Sequence, residues 1–347
     1  MSHRLVQTVI AGRQLSAAQA EELMEEVLAG RLVTAEIVQV LTALNARVYR
    51  AEELAGFARA MRKHAARVFA ESEILPERMV DTCGTGGDDS STFNISTAAA
   101  IVAAAAGARV AKHGNRAASS KCGSADVLEA LGVRLDLPFE QIGRAIREIG
   151  IGFLFAQAAH TATRHATPAR KQIGTRTVFN LLGPLTNPAR AQAQVLGVFS
   201  PEAVDVVAGA LAELGTEQAF VVHGAGKLDE ISLAGPTIVA EVRTGSVRKF
   251  QVMPEDFGKE PAPLAAIQGG SVAENAVLIR ELLGGVANGE ELEAQARQDV
   301  VIVNASAALV AAGVAGNFRE GAELAERALR DGSAAHKLHA LRQYGQA

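Results

Sequence analysis

The stretch DTCGTGGDDSSTFNIST, residues 81–97, sets Gly84, Gly86 and Gly87 behind the apolar approach Met79-Val80 and follows them with two aspartates and a run of hydroxyls. Glycines remove the Cβ where backbone must approach a ligand closely. The N–H groups of such a loop, followed by a helix N-terminus near Ser96, form an anion site. Asp88 and Asp89 would repel a phosphate there unless a cation stood between them. Mg²⁺ is such a cation, because it binds oxygen and bridges phosphates. Thr92, Asn94, Ser96 and Thr97 add polar groups to the same stretch. Plainer readings stand beside this one: a simple glycine turn at a strand end, Ser96 as a helix N-cap, and the aspartates facing a helix dipole. The loop is neither a Walker A nor a dinucleotide fingerprint, since it lacks GK[ST] and its glycine spacing differs.

Two further segments supply complementary charge. AKHGNRAASSKCGSAD, residues 111–126, interleaves Lys112, Arg116 and Lys121 with Gly114, Ser119, Ser120 and Ser124. Basic residues among small donors on a strand-to-helix loop suit a second phosphate; the alternative is a solvated basic loop. VVHGAGKLDEISL, residues 221–233, carries Asp229-Glu230 just past a strand-like run. An acidic pair in a turn is usually only solvated, but here it offers the carboxylates a magnesium–diphosphate site needs. His223, at a strand end, reads as structural.

These loops need a scaffold. Residues 1–70 read as helices. Ser16-Ala17-Ala18-Gln19 is a capping-box pattern opening a helix through Leu28 that stops at Gly30, with Leu23, Met24, Val27 and Leu28 as its apolar stripe. Thr34 starts a second helix, with Ile37, Val40, Leu41 and Leu44 on one face, and Glu52–Phe69 make a third. The character changes around Leu75-Pro76. Strands are expected at 79–80, 109–111, 195–199 and 219–222, and helices at 97–106, 125–131 and 201–214, with a helical tail from Ala305. Strand–helix–strand alternation predicts a mostly parallel α/β sheet. The expected domains are therefore a helical one over 1–72 and an α/β one over 73–347.

Composition narrows the classes. Hydrophobic content of 48% with 21% charged residues is the balance of a globular protein. A net charge of −4 does not suggest a broad nucleic-acid-binding face. Cys83 and Cys122 imply no disulfide framework or metal pair, and are expected as small residues in close-packed turns. The alanine-rich stretch 95–110 is too short and polar to span a bilayer. No signal-like leader opens the chain, so a cytoplasmic location is expected.

Taken in order, GTGGD…FNIST, KHGNR…SSK.GSAD and GTRTVFNLLGPLTNP (174–188) resemble the signature of the anthranilate phosphoribosyltransferases, and PEDFG (254–258), AENA (273–276) and VIVNASAAL (301–309) fit as well. The resemblance runs from about residue 5 to residue 335. It implies a small N-terminal helical domain, with a mid-chain contribution near 165–190, plus a large α/β domain with a central mostly parallel sheet. It also implies a homodimer. The implied reaction moves the phosphoribosyl group of 5-phosphoribosyl 1-diphosphate (PRPP) to the amine of anthranilate, with Mg²⁺, two ions per monomer. By that resemblance Gly84, Gly87 and Asp88 hold the diphosphate side of PRPP, and Thr92, Asn94, Ile95, Ser96 and Thr97 continue the site. Lys112, Ser120 and Ser124 meet phosphates. Ser96, Asp229 and Glu230 ligate Mg²⁺. Gly84, Asn115 and Arg170 meet anthranilate, Arg170 through its carboxylate. No side-chain nucleophile is implied.

The chain departs from the family in two places. Its His160-Thr161-Ala162-Thr163-Arg164-His165 stands where HPAM[RK]H is usual, which puts hydroxyls on the acceptor's route. Asp89 stands where glycine is common. His160 and His165, five apart, fit one helix face poorly and do not read as a metal pair. Two competing classes are a pyrimidine nucleoside phosphorylase of the same fold and a diverged nucleic-acid-binding relative. KHGNR and Asp229-Glu230 argue against the first, and the charge and intact motifs against the second.

Overall fold

The computed structural model describes residues 2–70, 73, 77–88, 90–117, 121–285 and 291–345. The chain opens with four helices: α1 (Ser2–Ile10), α2 (Ala17–Leu28), α3 (Thr34–Asn45) and α4 (Ala51–His64). The expected capping box opens α2: Ser16 Oγ accepts from the Gln19 amide at 3.3 Å, and Gln19 Oε1 accepts from the Ser16 amide at 3.0 Å. α3 and α4 have no hydroxyl cap. Glu36 and Glu53 reach back instead, to the amides of Val33 and Arg50. α4 ends at His64 rather than Phe69, because the chain turns extended at Ala65 and the Ala66 amide donates to Ala159 O at 2.9 Å.

Seven strands follow: β1 (Met79–Gly84), β2 (Arg109–Gly114), β3 (Ile151–Phe155), β4 (Ala193–Gly197), β5 (Gln218–Gly224), β6 (Thr237–Arg243) and β7 (Ser246–Val252). They form one sheet in the order β3-β2-β1-β4-β5-β6-β7. The first five in that order are parallel and the last two antiparallel. The β6–β7 turn places Thr244 at φ 46° and Gly245 at φ 80°, the two left-handed positions of a tight hairpin. The mostly parallel sheet expected from the sequence is present.

Both faces of the central strands are covered, so β4 and β5 are buried along their whole length, whereas the edge strand β7 is largely exposed. Val195, Phe220, Val222 and Val239 face the helix α5 (Ile95–Ala105) and the helix 291–312. Their alternates Leu196, Val198, Val221 and Val242 belong to one apolar cluster with the helix Pro201–Glu213, which packs on β5, β6 and α4, and with the rest of α1–α4 and the segment 166–185. Cys83 is not in a turn as expected but in β1, where Gln194 Nε2 donates to its sulfur. From β1 the chain runs to β2 and β3 on one side and returns as β4 on the other. The carboxyl ends of β1 and β4 therefore flank a topological switch point, where open α/β sheets leave a crevice for ligands.

Candidate active site

The crevice is floored by two glycines that pair in register at the ends of β1 and β4, Gly84 and Gly197. A Cβ on Gly84 would meet Asp229 Oδ2, and one on Gly197 would overlap the Asp229 backbone carbonyl. The two bare strand ends thus seat Asp229 over the switch point. Gly86, at φ 65°, turns its amide to donate to Asp229 Oδ2 at 2.8 Å. The Asp229 amide in turn faces Asp88 Oδ2 at 3.4 Å. Glu230 Oε1 accepts from the Ser96 amide at 3.1 Å, in the first turn of α5. The acidic pair after β5 and the glycine loop after β1 are therefore one site, although 143 residues separate Gly86 from Asp229.

Charge in this site is unbalanced. Burial, then the Asp88 charge, pushes the Asp229 carboxyl up to about 7. Burial, then Asp229 beside it, pushes Glu230 well above the carboxylate range. The facing cation is Lys112. The sequence pattern suggests a loop there, but β2 continues to Gly114 because Lys112, His113 and Gly114 pair with Phe153, Leu154 and Phe155 of β3. Its buried ammonium donates to Thr82 O at 2.7 Å and to Ser96 Oγ at 3.4 Å. Burial lowers its pKa, while the charges of Asp81, Cys83 and Glu230 oppose that. Crowded oxygen ligands short of positive charge fit a hard divalent cation such as Mg²⁺. Among the described residues no three His, Cys, Asp or Glu side chains converge as a ready-made metal cage.

The other expected phosphate residues divide. Ser124 opens the helix Ser124–Ala130, its Oγ donates to Asn115 O at 3.3 Å, and a Cβ on Gly114 would overlap it. Asp126 closes this second loop by accepting from the amides of Ala117 and Gly123 at 2.9 and 3.0 Å. Ser120 and Asp89 lie outside the described residues. The N-cap of α5 is Asn94, not Ser96, which leaves the Ser96 side chain partly exposed beside Lys112 and Glu230. Asn94 Nδ2 donates to Cys122 O at 3.1 Å and its Oδ1 accepts from Asn275 at 3.2 Å, so it ties the two loops together. Thr92 bridges to Gln268 and its hydroxyl lies 3.2 Å from that of Ser90. Ile95 is buried, with its amide bonded to Phe93 O. Thr97 is buried and its hydroxyl has no hydrogen-bond partner among the described residues.

Arg170, on the helix Thr167–Ile173, is partly buried with its guanidinium 5.1 Å above the Phe179 ring. Burial lowers its pKa, and among the described residues it makes no ion pair. That is a free planar fork of the kind a carboxylate takes. No hydrogen bond among the described residues joins it to Asn115 or Gly84, and Asn115 Oδ1 accepts from the Arg116 amide instead. The Thr163 hydroxyl donates to His160 O at 2.7 Å, so this departure from the family motif is satisfied locally. His160 packs edge-on against His113 at 5.2 Å while His165 lies against Gly30, so the two histidines diverge as their spacing indicated.

Three residues that sequence reasoning did not single out hold this assembly. Buried Asp81 accepts from the His113 amide at 3.0 Å and from Asn187 Nδ2 at 2.8 Å. Asn187 also donates to Ala111 O, tying β1 to β2. Arg176 donates to Gly87 O. Asn187 and Arg176 lie inside the quoted motif GTRTVFNLLGPLTNP, which was the available signal.

Known proteins share this sequence pattern and fold. Residues 76–335 match the α/β domain of the glycosyl transferase family and residues 3–65 its helical bundle domain. The chain is 48% identical over 344 residues to the anthranilate phosphoribosyltransferase of Pelotomaculum thermopropionicum, covering 99% of this chain and 96% of that one. It superposes on the crystal structure of the Thermus thermophilus anthranilate phosphoribosyltransferase with a TM-score of 0.91 at 45% identity, covering all of both chains. The Saccharomyces cerevisiae enzyme, solved in complex with PRPP and Mg, superposes with a TM-score of 0.87 at 28% identity, over 99% of this chain and 97% of that one. With near-complete coverage in sequence and in fold, this chain belongs to the anthranilate phosphoribosyltransferase family.

Proposed function

We propose that this chain transfers the phosphoribosyl group of PRPP to the amine of anthranilate, giving N-(5-phosphoribosyl)anthranilate and diphosphate, a step of tryptophan biosynthesis. The observation that carries the reading is the seating of Asp229 and Glu230 on the amides of Gly86 and Ser96, at the switch point of the sheet. The yeast complex with PRPP and Mg supports the donor and the metal.

Asp229, Glu230 and Ser96 would hold Mg²⁺, two ions per monomer, whose charge offsets that of the departing diphosphate. The glycine loop at Gly84, Gly87 and Asp88, with Thr92, Asn94, Ile95 and Thr97 behind it, receives the diphosphate side. Lys112, Ser120 and Ser124 serve the phosphates. Lys112 acts from below the loop, its ammonium fixed on Thr82 O. Arg170, with Asn115 and Gly84, orients anthranilate by its carboxylate so that the amine faces C1 of the ribose. The amine attacks as the C1–oxygen bond to diphosphate breaks, through a transition state with oxocarbenium character, and the proton the amine sheds passes to anthranilate's own carboxylate or to solvent. The chain's own work is alignment and stabilisation of the leaving group, and no side chain is needed as a nucleophile.

The same reading gives a helical domain over 1–72 with residues near 165–190, an α/β domain over 73–347, a cytoplasmic location and a homodimer. Light scattering tests the homodimer. Among the described residues no helix is long and apolar enough to cross a membrane. The test of the reaction is loss of anthranilate fluorescence on mixing with PRPP. Loss that requires both PRPP and Mg²⁺ is expected. PRPP binding without turnover of anthranilate would overturn the acceptor, and no PRPP binding would overturn the reading altogether.

A further inference from the structure

Arg176 belongs to neither substrate in the reading above, yet it touches both halves of the molecule. Its guanidinium donates to the carbonyl of Gly87, 89 residues away in the chain. The same guanidinium stacks 4.8 Å above the Phe199 ring, and the Phe199 amide donates to Thr85 Oγ1 at 3.1 Å. The glycine loop is thus gripped at Thr85 and at Gly87 by neighbours in one stack. Gly87 has to be glycine for this crossing. It sits at φ 76°, and a Cβ there would lie 2.8 Å from Arg176 Nε. On its other side, Arg176 is fastened to the helical block: Asn45 Nδ2, at the end of α3, donates to Arg176 O at 2.7 Å, and Tyr49 Oη lies 2.6 Å from Asn45 Oδ1.

We propose that Arg176 is a positioning residue that clasps the glycine loop to α3, so that the placement of the helical block sets the geometry of the diphosphate cradle. This inference rests on the PRPP reading of the loop. A carbonyl held from outside keeps the neighbouring amides aimed inward, and Gly86, next to the clasped residue, already shows its amide directed at Asp229. Pre-set amides bind an anion without first losing conformational freedom. The side chain of Arg176 is exposed, so its replacement leaves the core untouched.

The experiment compares wild type with Arg176→Ala, Arg176→Lys and Asn45→Ala. Amide hydrogen exchange is measured over residues 84–88 without ligand, PRPP binding is measured by calorimetry with Mg²⁺, and thermal midpoints are recorded. Arg176→Ala is expected to speed loop exchange at least tenfold and raise the PRPP Kd about tenfold, with a midpoint within a few degrees of wild type. Arg176→Lys restores part of this, since it keeps the charge without the fork. Asn45→Ala moves both readouts the same way by less. Unchanged loop exchange in Arg176→Ala overturns the clasp, whatever PRPP does. Faster exchange with PRPP affinity unchanged overturns the link to the cradle. Wild type that fails to bind PRPP, with loop exchange still responding to Arg176→Ala, sinks the functional reading and leaves the clasp standing.

Discussion

Gly197 lies outside every expected contact with substrate, yet Gly197→Ala should be among the most damaging small changes to this enzyme. The new Cβ would overlap the carbonyl carbon and oxygen of Asp229 and come within 3.1 Å of its Cα. Backbone cannot rotate out of the way as a side chain end can. An ordinary carbon contact needs about 3.5 Å, so the Asp229 backbone must move by on the order of 1–2 Å. Asp229 also carries the hydrogen bond to Gly86, so that displacement reaches the glycine loop. Misplacing a catalytic group by about 1 Å costs roughly 100-fold, equivalent to about 2.7 kcal/mol of transition-state stabilisation. Overpacking should lower stability by about 1–3 kcal/mol. The assay is steady-state kinetics with PRPP varied at several Mg²⁺ concentrations, beside a thermal melt. A roughly 100-fold loss in kcat/KM for PRPP with a higher Mg²⁺ midpoint is expected from a folded protein. Activity within threefold of wild type at unchanged metal demand would refute the idea that the strand ends position Asp229 for diphosphate.

Other perturbations address the remaining parts. Arg170→Ala should raise the anthranilate KM at least tenfold, for loss of a charged hydrogen-bond partner worth about 1.5–3 kcal/mol, and leave the PRPP KM nearly unchanged; equal effects on both would remove Arg170 from the acceptor. Asp229→Asn with Glu230→Gln should shift the Mg²⁺ titration to higher concentration, and an unmoved titration would take the pair out of the metal site. Asp81, raised from 3.8 to about 6 by burial, holds its proton more tightly folded than unfolded. It therefore contributes stability that is full below about pH 4 and is lost as pH rises through 6, up to about 3 kcal/mol. In Asp81→Asn, denaturant melts across pH 4 to 7 should lack that decline relative to wild type, and parallel profiles would count against it.

How far the site was legible depended on the distance over which each residue acts. The glycine loop, the Asp229-Glu230 pair and the capping box at Ser16 are local patterns, and the structure brings the first two together. Lys112 was misplaced in a loop because the length of β2 is set by its pairing with β3, which no short window reveals. A hydroxyl is the usual N-cap signal, which makes Ser96 an N-cap candidate beside its ligand role, but the cap of α5 is Asn94. Asn94 takes the position with its backbone, while its side chain bonds Cys122 and Asn275. Asn187 acts on Asp81 across 106 residues, and Arg176 on Gly87 across 89. Such roles exist only once the sheet has been assembled.

The sheet face carrying Leu196, Val198, Val221 and Val242 shares one apolar cluster with α1–α4 and the segment 166–185. The helical block is therefore a separate piece of sequence without a separate interior. Cutting the chain near residue 72 would strip α4 from the helix Pro201–Glu213 that lies on β5 and β6, and leave Leu23, Leu41, Leu44 and Phe57 without part of their packing. Unfolding of the block and of that sheet face should therefore be coupled.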